Sequence, residues 1–222
     1  MTKAVYVTGC LGFIGYHLTK QCLENDWHVY GIDKQTYASN TQFLNELKSY
    51  PKFKYSCVDI NDIERIHDCD YFINTAAETH VDNSIKCSDE FLDSNVYGVH
   101  RILKLIQTKK QKPILLHFST DEVYGDIDLG SYNESQLLKP SNPYSATKAS
   151  ADMLILAWAR TFKIPYIIVR PTNNYGTAQY VEKLIPKAIK YLTLGKKIIL
   201  HDKGLPRRTW LHVSDTVSAI MK

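Results

Sequence analysis

Nowhere in this sequence does an apolar run grow long enough to cross a membrane, and the start, MTKAVYVTG, passes directly into a strand-like segment. Neither a membrane span nor a leader is expected. Cysteine is sparse and unpatterned: Cys10, Cys22, Cys57, Cys69 and Cys87 form no CxxC pair and no Cys/His cluster, and their odd number suits no disulfide framework. No metal site is expected, and a reducing cytoplasm fits such cysteine usage. A large charge of one sign is missing too. The net charge is +4, the basic residues are scattered, and KKQK at 109–112 reads as a solvated helix end, so a nucleic-acid partner is not expected. Repeats and low-complexity tracts are absent.

What is there is 222 residues with 44% hydrophobic side chains, enough for one full core and a small second lobe. Strand-like runs alternate with helical patterns: AVYVTG, a helix near 13–25, HVYGID, a short helix near 40–48, FKYSCVD, DYFINTA, a helix near 89–108, ILLHFST, a helix near 144–162, then YIIVRP. This alternation predicts an α/β fold with a parallel, doubly wound sheet. After Arg170 the rhythm loosens into PTNNYG, a helix near 181–194, a strand-like KKIILH and WLHV. We read residues 1–170 as one domain and 171–222 as a partial second lobe, with Ser214 as the N-cap of a final helix.

Three motifs carry chemistry. Gly9, Gly12 and Gly15 follow the first strand and open the first helix, and Asp33 ends the next strand. Glycines there bring backbone N–H groups and a helix N-terminus against a pyrophosphate, and the acid holds ribose hydroxyls and repels a 2′-phosphate. A Rossmann-like NAD site is the expectation, with Lys34 adjacent. Tyr144 and Lys148, four apart in YSATK, share a helix face. An ammonium beside a phenol lowers its pKa from about 10, so this pair reads as a base. In STDEVYG, a buried-strand pattern ends at Ser119 and Thr120 and runs into two carboxylates, Asp121 and Glu122, where a plain turn would be the bland reading.

Together these motifs resemble the extended short-chain dehydrogenase/reductase family, and within it the nucleotide-sugar 4,6-dehydratases that act on dTDP-glucose. The likeness extends through AAETHVDNSI, NPYSATKASAD, NNYG, EKLIP and RRTWLHV. It implies NAD-dependent dehydration of a nucleotide-activated glucose to its 4-keto-6-deoxy form. Tyr144 would be the base at the C4 hydroxyl, Thr120 would hold that hydroxyl, and Lys148 would support the phenol. Glu122 would take the C5 proton while Asp121 protonates the departing C6 hydroxyl. The resemblance places Phe13 and Ile14 along the pyrophosphate, Thr36 with Asp33 and Lys34, Asp59 and Ile60 near adenine, and Ala76, Ala77 and Thr79 beside the nicotinamide half. Ser94, Asn95, Tyr144 and Lys148 would also face the cofactor. Thr79, Thr120, Asn173, Lys183, Leu184 and Arg208 would meet the sugar nucleotide, the two cations on its diphosphate.

The family pattern is departed from at Cys10, Asn83, Thr177 and Thr209. Family members also run longer than this chain, so the substrate lobe is expected to lack part of its wall, as a fragment or a short form. Two other readings remain open: a dehydratase of UDP-glucose or UDP-N-acetylglucosamine, and a truncated NAD-binding protein without catalysis. A homodimer through a four-helix bundle of the two long helices is implied, with Leu154, Ile155 and Trp158 as apolar positions that either serve it or pack on the sheet.

Overall fold

The computed structural model describes residues 2–127, 129–200, 204, 205 and 207–222. Six strands, β1 (Ala4–Thr8), β2 (His28–Ile32), β3 (Phe53–Ser56), β4 (Tyr71–Asn74), β5 (Ile114–Phe118) and β6 (Tyr166–Val169), form one sheet in the order β3-β2-β1-β4-β5-β6. Every pairing is parallel. Strands covered on both faces are built from near-continuous apolar residues, and successive residues bury into opposite layers. Val5 and Val7 of β1 join one buried cluster, whereas Tyr6 joins the other with Phe72.

The first layer is α1 (Phe13–Glu24) with the short α2 (Leu44–Lys48). On the other face, α3 (Val81–Lys86), α4 (Asp89–Leu92) and α5 (Gly98–Gln107) precede α6 (Pro143–Phe162). The Rossmann-like doubly wound sheet expected from the sequence is therefore present. Beyond β6, β7 (Asn173–Tyr175) pairs in parallel with β8 (Trp210–His212), with α7 (Leu184–Thr193) between them in sequence. The last helix, α8 (Val213–Ile220), returns to the main core, where Val213 and Val217 pack with Leu18, Cys22 and their neighbours.

Several elements differ from the sequence expectation for identifiable reasons. The run expected as one helix over 89–108 contains a π-helical turn, Asp93–Tyr97, between α4 and α5. That turn places Asn95 so that its amide bonds the N–H and C=O of Glu78 (2.9 and 3.0 Å), beyond β4. The helix near 40–48 begins as a 3-10 turn, and α7 begins at Leu184. Residues 196–200 of the apolar KKIILH run form no strand, having no ladder partner among the described residues; His201 lies outside them. Ser214 lies inside α8. Its N–H is accepted by His212 Nδ1 (3.3 Å), and His212 is the cap. Ile155 is fully buried, and Leu154 and Trp158 are half-buried against the same core, because that face of α6 lies on the sheet. The apolar residues that α6 exposes are Met153 and Leu156.

Helix α6 is fastened to the end of β6 by a buried ion pair. Arg170 Nε donates to Asp152 Oδ2 at 2.9 Å, with the Asp152 side chain fully buried and that of Arg170 16% exposed. The guanidinium also reaches Tyr124: Nη1 donates to the phenol oxygen at 2.7 Å. Burial raises the Asp152 carboxyl above the usual range, and its hydrogen bond to Arg170 pulls it back. Removing one partner of such a pair strands a charge. Arg170→Met is expected to cost about 3–5 kcal/mol of stability, read as a lowered urea midpoint.

Candidate active site

The sheet reverses its winding between β1 and β4, so the segments leaving their carboxyl ends diverge and open a crevice. A cavity of about 580 Å³ lies there. Gly9, at φ +69°, sits against the chain after β4: a Cβ on it would come within 2.8 Å of Ala76 N. A Cβ on Gly15 would collide with Gly9 O, so α1 can approach β1 this closely only without a side chain there. Gly12 caps α1 without a side-chain bond, which leaves its first N–H groups free for an anion.

The Asp33 carboxylate accepts from Leu11 N–H (3.0 Å), Gln35 N–H (2.8 Å) and Ser39 Oγ (2.8 Å). Three of about four lone-pair directions are thus used, and one remains for a ligand hydroxyl. Lys34 turns away from it, its Nζ 3.3 Å from Asp59 and 3.8 Å from Glu78. This donor set, with an apolar floor of Ile14, Ile32, Val58 and Ile60, fits a dinucleotide: backbone donors for phosphate, an acid for ribose and a slot for a base.

On the opposite wall stand Tyr144, Lys148, Thr120 and Glu122. Helix α6 positions the first two. Its N-cap Asn142 accepts from Ser145 N–H, Ser145 Oγ accepts in return from Asn142 N–H, and Pro143 opens the first turn. Lys148 is fully buried in this wall, and its Nζ donates to the Phe118 carbonyl at 2.6 Å and lies 3.4 Å from His117 Nε2. Burial lowers this lysine to about 8, with Asp152 opposing. His117 is buried and held well below its ordinary range, chiefly by burial, and its Nδ1 faces Asn74 at 3.0 Å.

Lys148 is not among the groups that set the Tyr144 phenol. Tyr144 is raised, first by burial and then by the charges of Glu122 and Asp121, while a hydrogen bond to Thr120 pulls it down. One N–H of the Lys148 ammonium goes to the Phe118 carbonyl. Asp121–Tyr124 forms a 3-10 turn capped by Thr120. Thr120 Oγ1 donates to Asp121 (3.3 Å), and Glu122 Oε2 accepts from Asn142 Nδ2 (3.3 Å).

Of the residues singled out from sequence, Gly9, Gly12, Phe13, Ile14, Gly15, Asp33, Lys34, Thr36, Asp59, Ile60, Ala76, Ala77, Thr79 and Ser94 line this one cavity, together with Asn173, Lys183, Leu184 and Arg208. Asn95 does not line the cavity but clasps Glu78 and donates to Thr147, and Asp121 is half-buried and does not line it either. Lys183 Nζ donates to Thr79 O and Oγ1 (3.2 and 3.4 Å), whereas Arg208 is exposed and donates to Arg207 O. Sequence reading passed over Glu78, His117 and the cap residue Asn142.

A family model described as GDP-mannose 4,6 dehydratase matches residues 6–222. The chain belongs to that family. It is 39% identical to a trifunctional UDP-glucose 4,6-dehydratase/UDP-4-keto-6-deoxy-D-glucose 3,5-epimerase/UDP-4-keto-L-rhamnose-reductase of Arabidopsis thaliana, over 98% of this chain and 34% of that protein. It is 38% identical to a dTDP-glucose 4,6-dehydratase of Haemophilus influenzae, over 97% of this chain and 69% of that one. The chain thus spans about a third of the Arabidopsis protein. A crystal structure of dTDP-glucose 4,6-dehydratase from Streptomyces venezuelae, with NAD bound, superposes with TM-score 0.93 at 36% identity, covering 98% of this chain and 70% of that chain. A UDP-glucuronic acid 4-epimerase from Bacillus cereus superposes with TM-score 0.94 at 26% identity, covering 98% and 72%. The frame of this GDP-mannose 4,6 dehydratase relative is therefore shared with an epimerase, and its chemistry has to be argued from the side chains.

The depressed ammonium of Lys148 carries a pH signature. The unfolded chain binds its proton up to about 10.5 and the folded chain only up to about 8, so folding is favoured by this group as pH rises between them. The stability of the wild type relative to Lys148→Met is expected to grow by about 3 kcal/mol across that window, measured by chemical denaturation at stepped pH.

Proposed function

We propose that the protein dehydrates a nucleotide-activated glucose, with dTDP-glucose as substrate and NAD as cofactor, to the 4-keto-6-deoxy sugar. The observation that carries this reading is that one cavity wall holds a phenol with a threonine hydroxyl, for a C4 alcohol, and a carboxylate at the head of a two-acid turn, for an elimination. Its cofactor half is supported by the glycine cradle, the α1 N-terminus and Asp33. When bound, NAD supplies the two-electron acceptor for the C4 alcohol, returns those electrons at C6, and adds positive charge to the cavity.

In this reading Gly9, Gly12, Phe13, Ile14 and Gly15 receive the pyrophosphate, and Asp33, Lys34 and Thr36 the adenosine ribose. Asp59 and Ile60 border adenine, and Ala76, Ala77, Thr79, Ser94 and Asn95 shape the nicotinamide end. Tyr144 Oη receives the C4 hydroxyl proton while Thr120 Oγ1 holds the same oxygen. Added positive charge favours the phenolate that burial alone disfavours. Once C4 is a ketone the C5 proton is acidic; Glu122 takes it, and Asp121 gives a proton to the C6 hydroxyl, which leaves as water. Lys183 and Arg208 attract the diphosphate, with Asn173, Leu184, Thr79 and Thr120 alongside.

We also place the substrate lobe at 171–222, the protein in the cytoplasm, and a homodimer through α4–α5 and α6. The dimer is supported by exposed Leu92, Tyr97, Met153 and Leu156 on those helices. A UDP-glucose substrate is a second reading, favoured by the 39% identity to the Arabidopsis protein. Incubation with NAD and either dTDP-glucose or UDP-glucose, followed by mass spectrometry, is expected to give a product lighter by one water. Glu122→Gln is expected to abolish it. Absence of that product from both sugars, with NAD bound, overturns the dehydratase reading.

A further inference from the structure

Two adjacent carboxyl groups must behave differently, one giving a proton and one receiving it, and the sequence treats them alike. The structure gives them different neighbours. Asp121 receives its hydrogen bond from the Thr120 hydroxyl, a group that can equally accept one from a protonated acid. Glu122 receives its own from the amide of Asn142, which can only donate. Among the described residues no other side chain donates to the Glu122 carboxylate.

The orientation of that amide is determined by the helix it caps. Asn142 Oδ1 accepts from Ser145 N–H at 2.8 Å, within a reciprocal capping box. The oxygen is therefore committed to α6, and the NH₂ group has to face the other way, where Glu122 Oε2 lies 3.3 Å off. The same helix start carries Tyr144 two residues later, so one side chain links the two stages of the reaction. Other charged or titratable groups facing Glu122 are Tyr144 from α6, Lys183 from the segment before α7, and Asp121 from its own turn.

We propose that Asn142 is a positioning residue for the elimination stage: its oxygen caps α6 while its nitrogen aims Glu122 Oε2 to receive the C5 proton. This rests on the dehydratase reading and deepens it. The proposed base thus meets an amide donor and the proposed acid a hydroxyl.

Capping and carboxylate-holding can be separated, because serine and aspartate cap helices about as well as asparagine. Asn142→Ser keeps an acceptor for Ser145 N–H and removes the donor. Asn142→Asp keeps the acceptor and sets a second carboxylate against Glu122. Each full-length variant, with NAD, is mixed with dTDP-glucose in a single turnover. The absorbance of reduced nicotinamide reports C4 oxidation, mass spectrometry reports water loss, and both are repeated across pH. Asn142→Ser is expected to keep the wild-type unfolding midpoint and Asn142→Asp to lower it, while both keep C4 oxidation. Asn142→Ser is expected to lose water about ten- to a hundred-fold more slowly, the range of a hydrogen bond to a charged group, so reduced cofactor accumulates. In Asn142→Asp the acid limb of the elimination profile is expected to move to higher pH, since a like charge disfavours the carboxylate. Wild-type elimination in both variants overturns the proposal, as does an unmoved profile in Asn142→Asp. Equal loss of oxidation and elimination also overturns it, leaving Asn142 as a cap alone. A wild type that releases no water from dTDP-glucose or UDP-glucose overturns the dehydratase reading itself.

Discussion

The hydrogen bond from the Lys148 ammonium to the Phe118 carbonyl is the joint on which the site depends. It runs from the second turn of α6 to the last residue of β5, and it ties the helix that carries Tyr144 to the strand end that leads into Thr120, Asp121 and Glu122. A buried ammonium is costly, and its depressed pKa records that cost. The cost is offset locally: the carbonyl accepts at 2.6 Å, and His117 lies beside it with a neutral ring. Asp152, one turn further along α6, supplies the opposing charge and is itself held by Arg170. The catalytic wall is thus the visible edge of a buried polar chain that extends through the sheet to Asn74 and Thr8.

The phenol on that wall is not acidified. A lysine four residues from a tyrosine shares its helix face, but burial and the charges of Glu122 and Asp121 dominate the phenol. Tyr144 is left in a buried pocket with two carboxylates, all of which favour the protonated form. Positive charge brought by a bound ligand would favour the phenolate.

Much of this was legible in the sequence, and the illegible parts share a cause. The β/α alternation was readable because parallel strands buried on both faces have to be apolar throughout. Gly9, Gly15 and Asp33 were readable because turn sterics and strand ends admit few residue types. What pattern cannot convey is the direction of a side chain after packing. Ile155 lies on the sheet face of α6, and Leu156, the next residue, is exposed; a helical run of apolar residues does not say which face meets the core. The apolar run at 196–200 resembles a strand but finds no ladder. Ser214 is a good cap by type, but the backbone enters α8 two residues too early for it. Asn142 did have a signal, an Asn-Pro step before YSATK, which is a helix start with proline in its first turn. Its second contact was invisible because Glu122 is twenty residues away along the chain.

A fold held in common with an epimerase does not select among reactions, so the difference must lie in what the loops add to a constant frame. In the proposed function the tyrosine, lysine and threonine serve the oxidation of an alcohol. The added element is a single 3-10 turn, Asp121–Tyr124, placed where β5 ends. It is restrained at both ends. Thr120 caps it and Tyr124 is pinned by Arg170, which also holds α6. Its central acid is tethered to the start of the same helix. Two acids in sequence become two different groups because rigid elements on either side offer one a hydroxyl and the other an amide.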